Sequence, residues 1–243
     1  FQSQNGDSSL VKLRNVNSYT PDYVVQLNGA DYVTFQKMSF QTTGCCIGAI
    51  FSFTNGANSN KLLNCRLTHI NSFGNYLVYS NSASLDNSNQ IENNRIEYGG
   101  YGIWFYGQSS SQLESGNTFI NNELTNQQYD GILTYYQNAP RIERNTVTTT
   151  SAYNSFEAIH LGYCDNQTKV LRNKVDIPNG TGLRIYRCDG VSANRLLVAN
   201  NFIHVGGSVT AYGIYSDYGY YQNFYFNNVH LSNSSAASRT MLA

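Results

Sequence analysis

Charge is scarce in this sequence. Only 12% of its 243 residues are Asp, Glu, Lys or Arg, and 15 acids balance 15 bases. A neutral chain without a basic run has little with which to neutralise phosphates or hold an anionic bilayer, so nucleic acid is not an expected partner. No stretch approaches the roughly 20 consecutive apolar residues of a membrane-spanning helix, which argues against membrane insertion. Helical patterning is missing too, because nowhere do apolar residues recur at i, i+3, i+4 and i+7. The absence of Cys-x-x-Cys and His-x-x-x-His spacings removes the usual zinc signatures. Gly-rich phosphate loops and a Ser-His-Asp signature are likewise absent. The chain starts at Phe1 without a signal-peptide pattern.

What the sequence does contain is a repeat. Asparagine followed two residues later by an aliphatic occurs at Asn94, Asn122, Asn145, Asn173, Asn201 and Asn227, and the register extends back to Cys65 and Met38. These eight positions are 27, 29, 28, 23, 28, 28 and 26 residues apart. A second motif, a turn followed by an apolar strand, recurs at Ile50, Leu77, Ile103, Ile132, Ile159, Leu183 and Ile214, at intervals of 27, 26, 29, 27, 24 and 31. Two interleaved motifs with one period indicate a structural unit stacked on copies of itself.

The unit is made of strands. Runs such as Ile103-Trp104-Phe105-Tyr106, Lys169-Val170-Leu171-Arg172 and Leu183-Arg184-Ile185-Tyr186 are short, rich in β-branched or aromatic residues, and bounded by Asn, Gly, Ser or Asp. About three such strands fit in each period, which predicts an all-β solenoid of about eight to nine coils in one domain over residues 1–243. The recurring asparagine is expected at a turn, where it tolerates a left-handed backbone and its amide can bond the next coil. Cys65 and Met38 would end that ladder. At about 4.8 Å per coil, the rod would be on the order of 40 Å long.

The Asn turn and the Gly-aliphatic strand together resemble the right-handed parallel β-helix of pectin-lyase-like proteins, over roughly residues 22–232. The likeness is nearest to repeat segments of secreted bacterial surface proteins. It implies a secreted or cell-surface location, and the lack of a capping helix suggests a segment of a longer polypeptide. It implies little about activity, since many functions use this scaffold.

Side chains alternate along a strand, which gives an outward set coil by coil: Phe51/Phe53, Val78/Ser80, Trp104/Tyr106, Leu133/Tyr135, His160/Gly162, Arg184/Tyr186 and Tyr215/Asp217. In the resembled family this strand floors a polysaccharide groove. The expected carbohydrate-binding residues are therefore Trp104, Tyr106, Tyr135, His160, Arg184, Tyr186, Tyr215 and Asp217. An apolar stripe of this size marks a binding site, a second packing layer under loops, or a contact with other domains of the parent protein.

Catalysis has weaker support. The family's hydrolases and Ca²⁺-dependent lyases carry acidic clusters on the groove strands, whereas here only Asp217 is outward there. The remaining candidates are His160 with Arg184, as base and carboxylate clamp, and Asp165 with Asp189, as an acid pair or a Ca²⁺ site. Asp130 and Glu157 stand at the mouth of the groove strand. Of the five cysteines, Cys164 and Cys188 occupy equivalent places on adjacent coils, where either a disulfide or stacked thiols would fit. Cys45-Cys46 is a vicinal pair that a bridge to Cys65 would reach. The expectation is a scaffold or adhesin-type module binding polysaccharide, with a lyase or glycoside hydrolase as one alternative and a purely structural shaft as another.

Overall fold

Two-residue corners set the coil. In the computed structural model, which describes residues 1–16, 23–43, 48–69 and 74–242, the first residue of each corner adopts the left-handed conformation and the second is the ladder residue. Asn93, Asn121, Arg144, Arg172 and Asn200 have φ of 57°, 54°, 55°, 57° and 58°, immediately before Asn94, Asn122, Asn145, Asn173 and Asn201. The sequence reading placed the left-handed residue one position too late. The ladder asparagine is kept for its amide, and its neighbour supplies the strained turn.

Over the described residues the chain winds through three parallel sheets, of nine, ten and eight strands, in which coil-equivalent strands pair in succession. One extra strand, Glu114–Ser115, pairs with Gln137–Asn138 at the side of the ten-stranded sheet. The groove sheet runs from Tyr23–Asn28 through Ala49–Thr54, Tyr76–Asn81, Tyr101–Tyr106, Asp130–Asn138, Glu157–Asp165, Thr181–Tyr186 and Tyr212–Asp217 to Arg239–Leu242. The back sheet ends at Gln222–Tyr225, and the ladder sheet runs from Lys12–Asn15 to Asn228–Leu231. In-register pairing stacks like on like. Ile103, Ile132, Ile159 and Leu183 form one buried column of the core, and Ile91, Phe119, Ile142 and Val170 form another. Burying each such side chain contributes about 1.5–3 kcal/mol, so the continuous core carries the fold.

The first coils depart from the expected register. Phe51 pairs with Val78 and Val78 with Ile103, so Ile50 and Leu77 fall in the column of Gly102 rather than of Ile103. Phe51, Phe53, Val78 and Ser80 therefore point into the core, each 1% exposed or less. The outward partners on these coils are Ser52 and Tyr79. The slip arose because the glycine that marks the motif later is absent here. Its role is close approach: a Cβ on Gly102 would lie 2.5 Å from the Gly131 carbonyl oxygen, and one on Gly131 would lie 2.4 Å from that of Ala158.

The asparagine ladder forms as expected. Each residue's Oδ1 accepts the N–H and side-chain amide of the asparagine one coil earlier, at 2.9–3.1 Å from Asn94 through Asn227. Each Nδ2 also donates to a carbonyl of the preceding coil, as Asn173 does to Ile142 at 3.0 Å. A second ladder at another corner, Asn60–Asn89–Asn117, went unread because its three members span too few coils to show a period. Cys164 and Cys188 are free, buried thiols rather than a disulfide. The Cys164 N–H donates to Cys188 Sγ at 3.2 Å, and Cys164 Sγ lies 3.2 Å from the Thr134 carbonyl, so both sulfurs serve the stack. Burial pushes the Cys188 thiol well above its ordinary value, which keeps it protonated and unreactive. The Cys45-Cys46 pair lies outside the described residues.

Candidate functional site: an aromatic groove on one sheet

Because the groove sheet is parallel and in register, its outward side chains form rows along the axis. Trp104, Leu133, His160, Arg184 and Tyr215 make one row, and Tyr106, Tyr135, Gly162, Tyr186 and Asp217 the next. Side chains of this kind on an outer face need either solvent or a ligand. Here they lean on one another. Tyr101 stacks on Tyr76 with ring centroids 4.8 Å apart, Trp104 meets Tyr101 edge-on at 4.9 Å, and Tyr106 lies parallel to Tyr135 at 5.2 Å. Gly162 makes room for this arrangement: a Cβ there would sit 2.2 Å from the Tyr135 ring, which instead lies across the glycine.

Two cavities, of about 580 and 460 Å³, open on this face and share Tyr135, Ser155, Glu157 and His160. They form one groove. The first also takes in Arg184, Tyr186, Tyr212 and Tyr215, and the second Trp104, Tyr106, Tyr129, Asp130 and Tyr153. Residues from the inter-strand segments, Tyr153 to Ser155 and Thr210, give the groove its walls. Seven of the eight residues expected to bind carbohydrate thus line one continuous site. The eighth, Asp217, reaches it through Arg184, whose Nη2 lies 3.2 Å from Asp217 Oδ2.

The polar groups are interlocked. His160 Nε2 lies 3.0 Å from the Tyr135 hydroxyl, and Nδ1 contacts the Glu157 carboxylate. The Arg184 guanidinium lies 3.7 Å from the centre of the Tyr215 ring, a close cation–π contact. Glu157 and Asp130 are direct neighbours on paired strands. Burial, reinforced by the Glu157 charge, pushes the Asp130 carboxyl up to about 8. Asp130 is therefore mostly protonated at neutral pH, a hydrogen-bond donor at the groove floor. Burial likewise raises the Tyr101 hydroxyl to about 12 and the Tyr135 hydroxyl further. Both remain neutral donors.

The remaining candidates are placed elsewhere. Asp165 and Asp189 sit past the groove, and each accepts a backbone N–H from the following coil: Asp189 N–H on Asp165 Oδ1 at 3.0 Å, and Tyr220 N–H on Asp189 Oδ1 at 2.8 Å. They extend a corner ladder. Among the described residues, no three His, Cys, Asp or Glu side chains converge as a metal site. His160 and Arg184 are neighbours on paired strands, but each bonds a carboxylate of its own rather than the other. The residues that sequence reasoning left out of the site, Tyr101, Tyr129, Tyr153 and Tyr212, sit at strand starts and in connecting segments. Tyr101 and Tyr212 share a row with Tyr76, Asp130, Glu157 and Thr181, a repeat the aliphatic motif did not extend to, whereas no periodic signal marks Tyr129 and Tyr153.

Three parallel sheets wound around one hydrophobic core define a parallel β-helix protein. A family model described as right-handed beta helix region matches residues 84–241, and the chain belongs to that family. Two solved structures of PfbA, a surface adhesin of Streptococcus pneumoniae, share its fold. One aligns with a TM-score of 0.57 and 14% identity over 86% of this chain, and the chain spans 63% of that structure's length. The other aligns with a TM-score of 0.54 and 11% identity, covering 96% of this chain and 85% of that structure. No curated protein sequence matches significantly. Among the described residues, no helix is long and apolar enough to cross a membrane.

Proposed function

We propose that this chain is an adhesin-type module of a secreted or cell-surface protein that binds a polysaccharide along the groove. The observation that carries this reading is the aromatic-rich floor from Trp104 to Tyr215, recessed between connecting segments and studded with donors. Aromatic faces present apolar surface to the C–H face of a sugar ring, while Asp130 and the tyrosine hydroxyls meet its hydroxyls. The adhesin neighbours support the surface role through fold. The groove's charge supports an uncharged glycan over a uronate polymer. Its cation, Arg184, is already bound to Asp217, and carboxyl groups stand at Asp130 and Glu157.

One observation favours hydrolysis as a second reading. Asp130 and Glu157 lie on adjacent strands, whose spacing of about 4.8 Å approaches the ~5–5.5 Å carboxyl separation of retaining glycosidases. The protonated Asp130 would give its proton to the leaving oxygen while Glu157 attacks.

A panel of neutral and uronate oligosaccharides tests both readings, with binding and product formation measured together. Binding of neutral glycans that weakens about tenfold or more in Trp104→Ala supports the module. Reducing ends that appear with the native chain and vanish in Asp130→Asn and in Glu157→Gln shift the reading to hydrolysis. Silence in both assays would leave a structural shaft whose groove contacts another domain of the parent protein.

A further inference from the structure

A second cluster of reactive side chains stands on the outer face of the ladder sheet. Asp176, His204 and His230 occupy equivalent positions on three paired strands, and Ser232 directly follows the last of these strands. His204 Nδ1 lies 2.8 Å from Asp176 Oδ1, and its Nε2 lies 2.8 Å from Ser232 Oγ. An ionised carboxylate can only accept, so Nδ1 carries the ring proton and Nε2 accepts from the Ser232 hydroxyl. This is the hydrogen-bond order in which a serine oxygen is activated by a base that is itself oriented by a carboxylate. The sequence shows no trace of it, because 28 residues separate each member from the next and only the coil period brings them together.

The cluster also has a place for a ligand. Asp176 and His204 line a cavity of about 560 Å³, together with Thr148, Thr150, Ile177 and Pro178. Gly206 completes this wall, and Ser232 Oγ lies 3.4 Å from where a Gly206 side chain would begin. Ser232 Oγ stands beside the cavity through its bond to His204, which lines it. Nothing in the proposed glycan groove uses these residues.

We propose that Ser232, His204 and Asp176 form a nucleophilic-serine site that accepts acyl groups from activated carboxylic esters seated against Pro178. Ser232 Oγ attacks the ester carbonyl as its proton passes to His204 Nε2. The tetrahedral adduct collapses, the C–O bond to the alcohol breaks, and the imidazolium returns the proton to the departing oxygen. Water, deprotonated by the same nitrogen, then releases the acid and restores the serine. The Asp176 side chain is 57% exposed, so solvent screens its support of the imidazolium. That limits the site to esters with good leaving groups, such as aryl esters.

The test is covalent labelling with an alkyl fluorophosphonate, in which Ser232 Oγ bonds phosphorus and fluoride leaves, beside acylation by p-nitrophenyl acetate. Peptide mapping should find one adduct, on Ser232, and one equivalent of nitrophenol should appear in a burst. General-base loss in His204→Ala should slow both about 100-fold, and Asp176→Asn should slow them less. These are outer-face positions, so melting should confirm that the variants fold, with His204→Gln as a substitute if His204→Ala does not. Absence of label, label confined to tyrosines, Ser232 labelling that is equally fast in His204→Ala, or phosphonylation without ester acylation would each overturn the proposal.

Discussion

The asparagine corner and the groove face belong to the same coils and obey opposite rules. At the corner, each side chain bonds the coils on either side of it, so every coil must present the same residue and the pattern survives from Asn94 to Asn227. On the groove face, Trp104, Leu133, His160, Arg184 and Tyr215 follow one another in a single row with no chemistry in common. A buried ladder amide needs the asparagine of the next coil to complete its hydrogen bonds, whereas a side chain at the surface is free to differ. Repetition marks where the fold is held, and its failure marks where something else is selected.

Substitution within the ladder should show the larger effect. Asn173 accepts the Asn145 N–H and side-chain amide, and donates to the Ile142 carbonyl and to Asn201. Asn173→Ala strands several buried groups, each costing about 1–3 kcal/mol when left unsatisfied. A loss of about 3–5 kcal/mol is expected by urea titration. A loss under about 1 kcal/mol would mean that water replaces the amide and the corner is not dry. At the ladder's end, the Cys65 backbone N–H donates to Asn94, a bond that alanine keeps, and the thiol makes only weak contacts with the Leu63 and Phe35 carbonyls. Cys65→Ala should cost about 1 kcal/mol, by the smaller bonds lost.

The same contrast explains what could be read from sequence. The ladder, the aliphatic columns and the three-strand coil repeat, so one chain carries seven comparisons of itself and the fold was legible. Failure came where the repeat was imperfect: Ile50 and Leu77 occupy the glycine column and led to a register off by one residue on two coils. For the groove, alternation correctly turned Trp104, Tyr106, Tyr135, His160, Arg184, Tyr186, Tyr215 and Asp217 outward. It gave no information on Tyr129 or Tyr153, whose positions depend on irregular connections, nor on which carboxylate His160 would choose. Contacts between coils that join unlike residues, such as Asp176–His204–Ser232 at intervals of 28, leave no local motif at all.

A groove carboxyl should behave unlike a ladder amide. Asp130 is held at about 8 against an ordinary 3.8, chiefly by burial. The folded state therefore keeps a proton that the unfolded chain gives up, so stability is full below about 3.8 and is lost as pH rises through 8. The slope attributable to this group is at most about 1.4 kcal/mol per pH unit. Asp130→Asn removes that titration while its amide oxygen still accepts the Glu157 N–H. The variant should match the native chain at pH 3.5 and melt higher than it at pH 9. Equal pH profiles would mean that the carboxyl is ionised and solvated in the folded protein.

Trp104→Ala should move stability little and binding most. Its ring is only partly buried, lies on the outer face of the sheet and touches Tyr76, Tyr101 and Tyr106 rather than the core. Removal forfeits edge and stacking contacts worth about 0.5–1.5 kcal/mol each at best, and the neighbouring tyrosines can close over the gap. The expected loss on unfolding is about 1 kcal/mol, against a tenfold or larger loss of glycan affinity. If the substitution instead costs as much as Asn173→Ala, the stripe is a packing layer that holds the sheet. The outward rows would then belong with the ladder, as part of what folds the chain rather than part of what the chain binds.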